Sequence, residues 1–242
     1  MANNNPITGV SYLLSGFNLI SKPGIRKYVI IPFLINIAVF IGLFIAFSHF
    51  FDVFNHWIAH FLPAWLQWLS IIFWLFFIFS FAIFFIFAFV IFANIISAPF
   101  NNQLAAQVEF YLTGKILENQ SLSENLKDLP RILKRQFSII GFYLWRALLI
   151  GILFFVPLIH PFIAIIWAML NAWFMTLQFI DYPSDNNRVN LPTVRTWLYE
   201  NNLLTLGFGI SVLAVTMVPI LNFFAIPAAV AGATKLWVEE YK

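Results

Sequence analysis

Charge along this chain is most informative where it is missing. The 56 residues from Val53 to Val108 contain no Asp, Glu, Lys or Arg, and Tyr28–Phe51 is also uncharged, so Asp52 is the only formal charge between Tyr28 and Val108. A helix or sheet in water keeps a polar face. A run this long without one needs apolar surroundings, which a bilayer provides. Two more uncharged segments follow, Ala147–Ile180 and Asn201–Thr234, each of 34 residues. No stretch alternates apolar and polar residues over a barrel strand's length. The expected fold class is an all-α integral membrane protein.

The pattern predicts the elements in order. Residues 1–27 hold an interfacial amphipathic helix and then a turn. Over 6–21, Ile7, Val10, Leu14, Phe17 and Leu19 share an apolar face while Thr8, Ser11, Ser15 and Asn18 stay wetter. Lys22-Pro23-Gly24 breaks that helix. Residues 28–50 form a first spanning helix, whose Asn36 should face protein rather than lipid. A link holding Asp52, His56, Trp57 and His60 leads to a second long helix over about 63–99, with Ile71–Ala93 inside the membrane. Residues 100–146 read as a polar cytoplasmic helical region, with Ser123, Glu124 and Asp128 marking a helix start.

The two 34-residue segments each carry a pair of prolines, Pro157 with Pro161 and Pro219 with Pro227. A straight helix of that length would be about 51 Å long, against a hydrocarbon layer of roughly 30 Å. Two proline-tipped re-entrant hairpins, over 147–180 and 201–234, are therefore expected, hemi-penetrating rather than crossing. Pro161–Ile180 alone is long enough to span, which keeps a crossing open as the alternative.

Charge and composition sharpen this outline. All 13 Lys and Arg lie in residues 22–27, 115–146, 188–195 and 235–242. Two spans and two re-entrant hairpins put all of them on one side, and the positive-inside rule makes that side the cytoplasm, with both termini. Charged residues are 10% of the chain, against about 25% in soluble domains. The 242 residues fit a single integral membrane domain, without a separate catalytic one. There is no cysteine, which excludes disulfides, thiolate metal sites and cysteine nucleophiles. The start, Met1 to Pro6, lacks the basic and apolar regions of a cleaved signal peptide, so the first span is expected to act as an uncleaved signal.

Among candidate chemistries, the sharpest is Pro23-Gly24-Ile25-Arg26-Lys27 at the start of the first span. A helix N-terminus offers unpaired N–H groups and the positive end of its dipole. Gly24 admits an anion to the backbone, and Arg26 and Lys27 add charge, which suits sulfate or phosphate. The same basic residues would also serve as plain topology anchors. His49, Asp52, His56 and His60 have spacing a metal could use, but a solvated interfacial link is the preferred reading, and no metal is expected. Glu109, Arg131, Lys134, Arg135 and Arg146 either line an anion vestibule or form a solvated helical pair. Asn222, between two prolines, either meets a permeating ion or satisfies broken backbone. Asp181 to Asn186 reads as an exit turn. There is no phosphate loop, no His-Glu-x-x-His pattern and no nucleophile with its base, so no catalytic residue, cofactor or nucleic-acid partner is expected.

At these residues the chain resembles the CysZ sulfate permease family of bacterial inner membranes. Four blocks carry the likeness: Gly16–Asn36; Ser97-Ala98-Pro99-Phe100-Asn101 with Leu104 and Glu109; Asn171-Ala172-Trp173 with Gln178, Asp181-Tyr182-Pro183 and Asp185-Asn186; and Thr216–Pro219 with Asn222 and Pro227–Thr234. The resemblance implies a multi-pass inner-membrane protein importing sulfate, with related oxyanions such as sulfite as further candidates, for sulfur assimilation and cysteine synthesis. It implies two spans, two hemi-penetrating hairpins and a homo-oligomer, dimer or larger. It also implies a sulfate site at Gly24, Ile25 and Arg26, with Lys27 adjacent. Ile25 stands where the family shows Leu, a harmless change if backbone N–H groups bind. Lys27 keeps a positive charge but not the bidentate fork of an arginine. Glu109, Arg131 and Asn222 remain pore or vestibule candidates. The alternative function is a non-transporting membrane scaffold or sulfate-sensing regulator.

Overall fold

Asn5 opens the first helix by accepting the N–H of Ile7 at 2.9 Å, and Pro6 occupies the first helical position, where its missing N–H costs nothing. This helix, α1 (Pro6–Ile20), is where the sequence pattern placed one. Its buried face is Gly9, Tyr12, Leu13, Gly16, Leu19 and Ile20. Of the expected apolar face, Leu19 is buried and Phe17 half-buried, while Ile7, Val10 and Leu14 point outward. Glycine explains the choice. A methyl group on Gly9 would run into the backbone of Leu204 and Phe208, and one on Gly16 into the backbone of Ala228 and Gly232. The notched face lets neighbouring helices approach to backbone contact, as small residues do inside membranes.

The computed structural model describes residues 3–61, 63–115 and 129–242, and these contain helices and turns but no strand. The helix start expected at Ser123, Glu124 and Asp128 lies outside the described residues. After α1 come α2 (Lys27–Phe61), a short 3-10 turn (Ala64–Leu69) and α3 (Ser70–Thr113). Then follow α4 (Leu129–Leu153), a 3-10 turn (His160–Phe162), α5 (Ile163–Asn186), α6 (Leu191–Glu200), α7 (Asn202–Thr216) and α8 (Pro219–Leu236). Among the described residues, five stretches are long and apolar enough, by length and composition, to cross a bilayer: Lys27–Ile58, Ser70–Val90, Pro130–Leu153, His160–Asn186 and Leu221–Tyr241. Helices α6 and α7 form a pair bent by 99°.

Both long helices outrun their expected ends. At 35 and 44 residues, α2 and α3 measure about 52 and 66 Å. Pro32 and Pro99 lie inside them rather than at their limits.

The chain's contacts divide it into two compact units, Ile30–Ala98 and Met1–Val29 with Pro99–Lys242. The first is an antiparallel pair zipped by aromatic rings. Phe40 meets Phe85 and Phe89, Phe47 meets Phe81 at 4.3 Å, Phe51 meets Trp74 at 4.4 Å, and Phe54 stacks on Phe77 at 4.0 Å. Each such pair adds about 0.5–1.5 kcal/mol beyond its burial. Rings off the seam, such as Phe76, Phe79, Phe84 and Phe87, are exposed, which suits contact with lipid. Asn36 does face protein, as expected, but its enclosed Oδ1 has no hydrogen-bond partner among the described residues.

In the second unit, α1 packs on α7 and α8, and α5 packs on α7. Gly209 of α7 sits against the backbone of Ala172, and the Thr176 hydroxyl donates to the Thr205 carbonyl at 2.6 Å. The two ends of the chain meet here. Asn3 N–H donates to Glu240 at 2.8 Å, and the Tyr12 hydroxyl donates to the other Glu240 oxygen at 2.8 Å. Burial and the Glu240 carboxylate hold the Tyr12 hydroxyl well above its usual range.

Both proline-bearing segments do break. Helix α4 ends at Leu153, the chain turns through 154–162 with Pro157 and Pro161, and α5 begins. The second break is tighter, at Met217-Val218, and Pro227 is carried inside α8 instead of marking the tip. Both turns present apolar side chains outward: Phe155 is 83% exposed, Leu158 84% and Met217 79%.

Candidate functional site

The Gly24 turn forms where α1 gives way to α2. Lys22 N–H donates to Leu19, and the N–H groups of Ile25 and Arg26 both donate to the Lys22 carbonyl, at 3.1 and 3.2 Å. Gly24 has φ +88°, a left-handed conformation that favours glycine, and nothing lies within 4 Å of where its side chain would be. Ile25 is 2% exposed and anchors the turn in the apolar core. Arg26 and Lys27 are exposed, with the Lys27 ammonium 5.0 Å from the centre of the Tyr28 ring. The turn thus presents an uncovered glycine backbone, the first turn of α2 and two cations together. Since the Ile25 and Arg26 N–H groups serve the turn itself, those of Gly24 and Lys27 are the ones left for an anion.

A second polar cluster gathers at the C-terminal end of α5. The Arg131 guanidinium grips the Asp185 carboxylate through both terminal nitrogens. Arg135 donates to Asp181 at 2.7 Å, to the Val189 carbonyl at 2.7 Å and to the Ser184 hydroxyl at 2.8 Å. Bidentate guanidinium–carboxylate pairs of this kind are among the strongest polar contacts available. The last part of α3 joins the cluster from another direction. Asn101 donates to the Tyr182 hydroxyl, Asn186 to the Asn102 carbonyl and Asn187 to the Glu109 carboxylate at 2.8 Å. Glu109 is 1% exposed and also takes the ammonium of Lys242. A carboxylate this enclosed needs such partners, because burying a lone charge is costly.

Glu109 and Arg131, named from the sequence as vestibule candidates, therefore meet at the same end of α5. Asn222 does not join them; it is exposed in the first turn of α8. No hydrogen bond or ion pair among those described links the Gly24 turn to this cluster. Sequence reasoning missed Asp181 and Asp185, because they sit in what reads as an exit turn; the structure keeps that stretch helical to Asn186, with Pro183 inside it. A signal was available. Arg131/Arg135 and Asp181/Asp185 are both i,i+4 pairs, so antiparallel packing of α4 on α5 matches them rung for rung.

Two further cations lie along the same faces. The guanidinium carbons of Arg146 and Arg195 lie 3.4 and 3.9 Å from the Phe142 ring centre, and Arg146 donates to the Tyr199 hydroxyl at 2.9 Å. Among the described residues, no three groups of metal-binding type converge, at the histidines or elsewhere.

Known proteins are similar to this chain over most of its length. Residues 12–227 match the family described as Sulfate transporter CysZ/Etoposide-induced protein 2.4. A protein of Pectobacterium atrosepticum named Sulfate transporter CysZ is 41% identical over 239 residues, covering 97% of this chain and 86% of that protein.

Proposed function

This chain belongs to the Sulfate transporter CysZ/Etoposide-induced protein 2.4 family, and from that premise we propose that it carries sulfate across the bacterial inner membrane to supply sulfur assimilation and cysteine synthesis. The observation that carries the proposal is the likeness, over 97% of the chain, to a relative named as a sulfate transporter. The Gly24 turn is the element that captures the anion. A sulfate against the open Gly24 backbone accepts the N–H groups of Gly24 and Lys27, while Arg26 and Lys27 supply charge. Ile25 contributes no polar group and holds the turn in place through its burial.

The proposed topology has two spans, α2 and α3, and two re-entrant hairpins, α4–α5 and α7–α8. Charge supports it. Arg131, Lys134, Arg135 and Arg146 occupy α4 up to Arg146, leaving only Ala147–Leu153, about 10 Å of helix, free of charge before the break. That reach is a fraction of the hydrocarbon thickness. The outward Phe155 and Leu158 at the tip support it too, since apolar side chains are better placed in the bilayer than in water beyond it. The protein works as a homo-oligomer with its termini in the cytoplasm.

Sulfate flux into proteoliposomes containing only this protein is the decisive measurement. Uptake above protein-free vesicles is expected. Intact sulfate binding with no flux would defeat transport and favour a sulfate-sensing regulator or scaffold.

A further inference from the structure

Arg146 and Arg195 hold positive charge that no carboxylate answers. Among the described residues, the ion pairs engage Arg131, Arg135, Lys235 and Lys242, and none reaches Arg146 or Arg195. Their partners are neutral. Arg146 donates to the Phe142 carbonyl at 3.3 Å and to the Tyr199 hydroxyl at 2.9 Å. Arg195 donates through one terminal nitrogen to the Ser138 carbonyl at 3.2 Å and hydroxyl at 3.4 Å. Its Nε is enclosed and has no hydrogen-bond partner among the described residues. An anchor residue standing free in water would keep that nitrogen hydrated.

The two side chains are also held together. Their guanidinium carbons lie 3.4 and 3.9 Å from the centre of the Phe142 ring, so both charges share one aromatic platform. Phe142 packs on Trp173 at 5.6 Å, Trp173 stacks on Tyr199 at 4.8 Å, and the Tyr199 hydroxyl accepts from Arg146. That circuit of contacts ties α4, α5 and α6 around the pair. Stacking on a ring offsets part of the repulsion between two cations but leaves their net charge in place. A guanidinium has more N–H donors than either arginine uses here, and its planar fork matches the oxygens of a phosphate.

We propose that this arginine pair binds the phosphate of an anionic phospholipid headgroup. Position decides the occupant. Arg146 is the last charge before Ala147–Leu153, the stretch that enters the bilayer in the re-entrant reading of α4, on which this inference rests. Trp145, its neighbour in sequence, and Tyr199, bonded to it, are both exposed, and such side chains favour headgroup level. Leu148, Leu149 and Ile152 are exposed further along α4, where acyl chains lie in that arrangement. A lipid therefore gains at both ends, its phosphate on the arginines and its chains on the apolar helix. A free oxyanion gains only the first. The site uses no residue of the Gly24 turn.

The test is native mass spectrometry of the full chain in mild detergent, with phosphatidylglycerol or phosphatidylcholine added. Wild type should retain phosphatidylglycerol on the order of tenfold more than phosphatidylcholine. Arg146→Gln combined with Arg195→Gln should lose most of that preference, and Lys115→Gln, an exposed cation elsewhere, should keep it. Thermal unfolding shows whether the double variant is folded; if it is not, Arg146→Gln alone takes its place. Excess sulfate should leave the lipid bound to wild type, and displacement would assign the pair to a free oxyanion and overturn the lipid site. Equal retention of both lipids by wild type overturns it without any variant. An unchanged preference in the arginine variant, or an equal loss in Lys115→Gln, overturns it as well. Failure of the re-entrant reading shows instead as outside labelling at Phe155, and failure of transport shows in the flux measurement, so the three are told apart.

Discussion

At the scale of single residues, the Gly24 turn divides backbone work from charge work. The Ile25 and Arg26 amides close the turn on Lys22, and the Ile25 side chain is buried, so in the proposed sulfate site the exposed Arg26 and Lys27 side chains contribute charge. Arg26→Ala should therefore weaken sulfate binding by about tenfold without loss of insertion, and Ile25→Leu should leave affinity unchanged. Sulfate titration of the purified variants checks both, and unchanged affinity in Arg26→Ala would sink the assignment. Arg135 is the contrasting case, a largely enclosed cation that satisfies Asp181, Ser184 and the Val189 carbonyl at once. Removing it in Arg135→Met leaves a buried carboxylate uncompensated and should cost about 3 kcal/mol. Adding Asp181→Asn should recover part of that loss. Thermal unfolding in detergent measures the pair, and equal destabilisation with and without the second change would mean the two residues are not coupled.

At the scale of elements, glycine placement decides which helices meet. The packing of α5 on α7 rests on Gly209 lying against the Ala172 backbone, with Thr176 bonded to Thr205 beside it. Backbone cannot withdraw as a flexible side chain can, so Gly209→Ala should destabilise the protein by about 1–3 kcal/mol, read as a lowered unfolding temperature in detergent. The same substitution at Gly42, where nothing lies within 4 Å, provides the neutral control. The order of the long apolar helices follows the charge and proline spacing, but their ends do not, and α6 left no such signal. The buried face of α1 was not legible either. Hydropathy scores Ile7, Val10 and Leu14 as the face to hide, but a bilayer accepts them as an outer surface, and the notches at Gly9 and Gly16 select the packed side. Proline was equally ambiguous. Pro157 and Pro161 fall at a break, while Pro99, Pro183 and Pro227 are carried within helices.

At the scale of the whole molecule, the proposed topology is open to direct labelling. A cysteine replacing His56 should react with an impermeant reagent added outside the cell, and one replacing Ser123 should not. A cysteine replacing Phe155 should resist reagent from either side if α4–α5 is re-entrant. Labelling of that tip from outside would convert the hairpin into a pair of crossings. Labelling at both His56 and Ser123 in intact cells would mean that protomers insert in both orientations.

Composition and the long uncharged runs determined, from sequence alone, that the chain belongs in a bilayer and is helical. In hydrocarbon the backbone must satisfy its own hydrogen bonds, which leaves few structures to choose from. The motif at Gly24, Ile25 and Arg26 was legible for a related reason: a glycine and two cations at a helix start form a local pattern, complete within five residues. The cluster at the end of α5 was not local. Arg131, Arg135, Asp181, Asp185, Glu109 and Lys242 come from separate parts of the chain, and each reads singly as a surface charge. Only the tertiary structure decided that they pair, because ion pairing depends on which faces pack, and that is not written in any one segment.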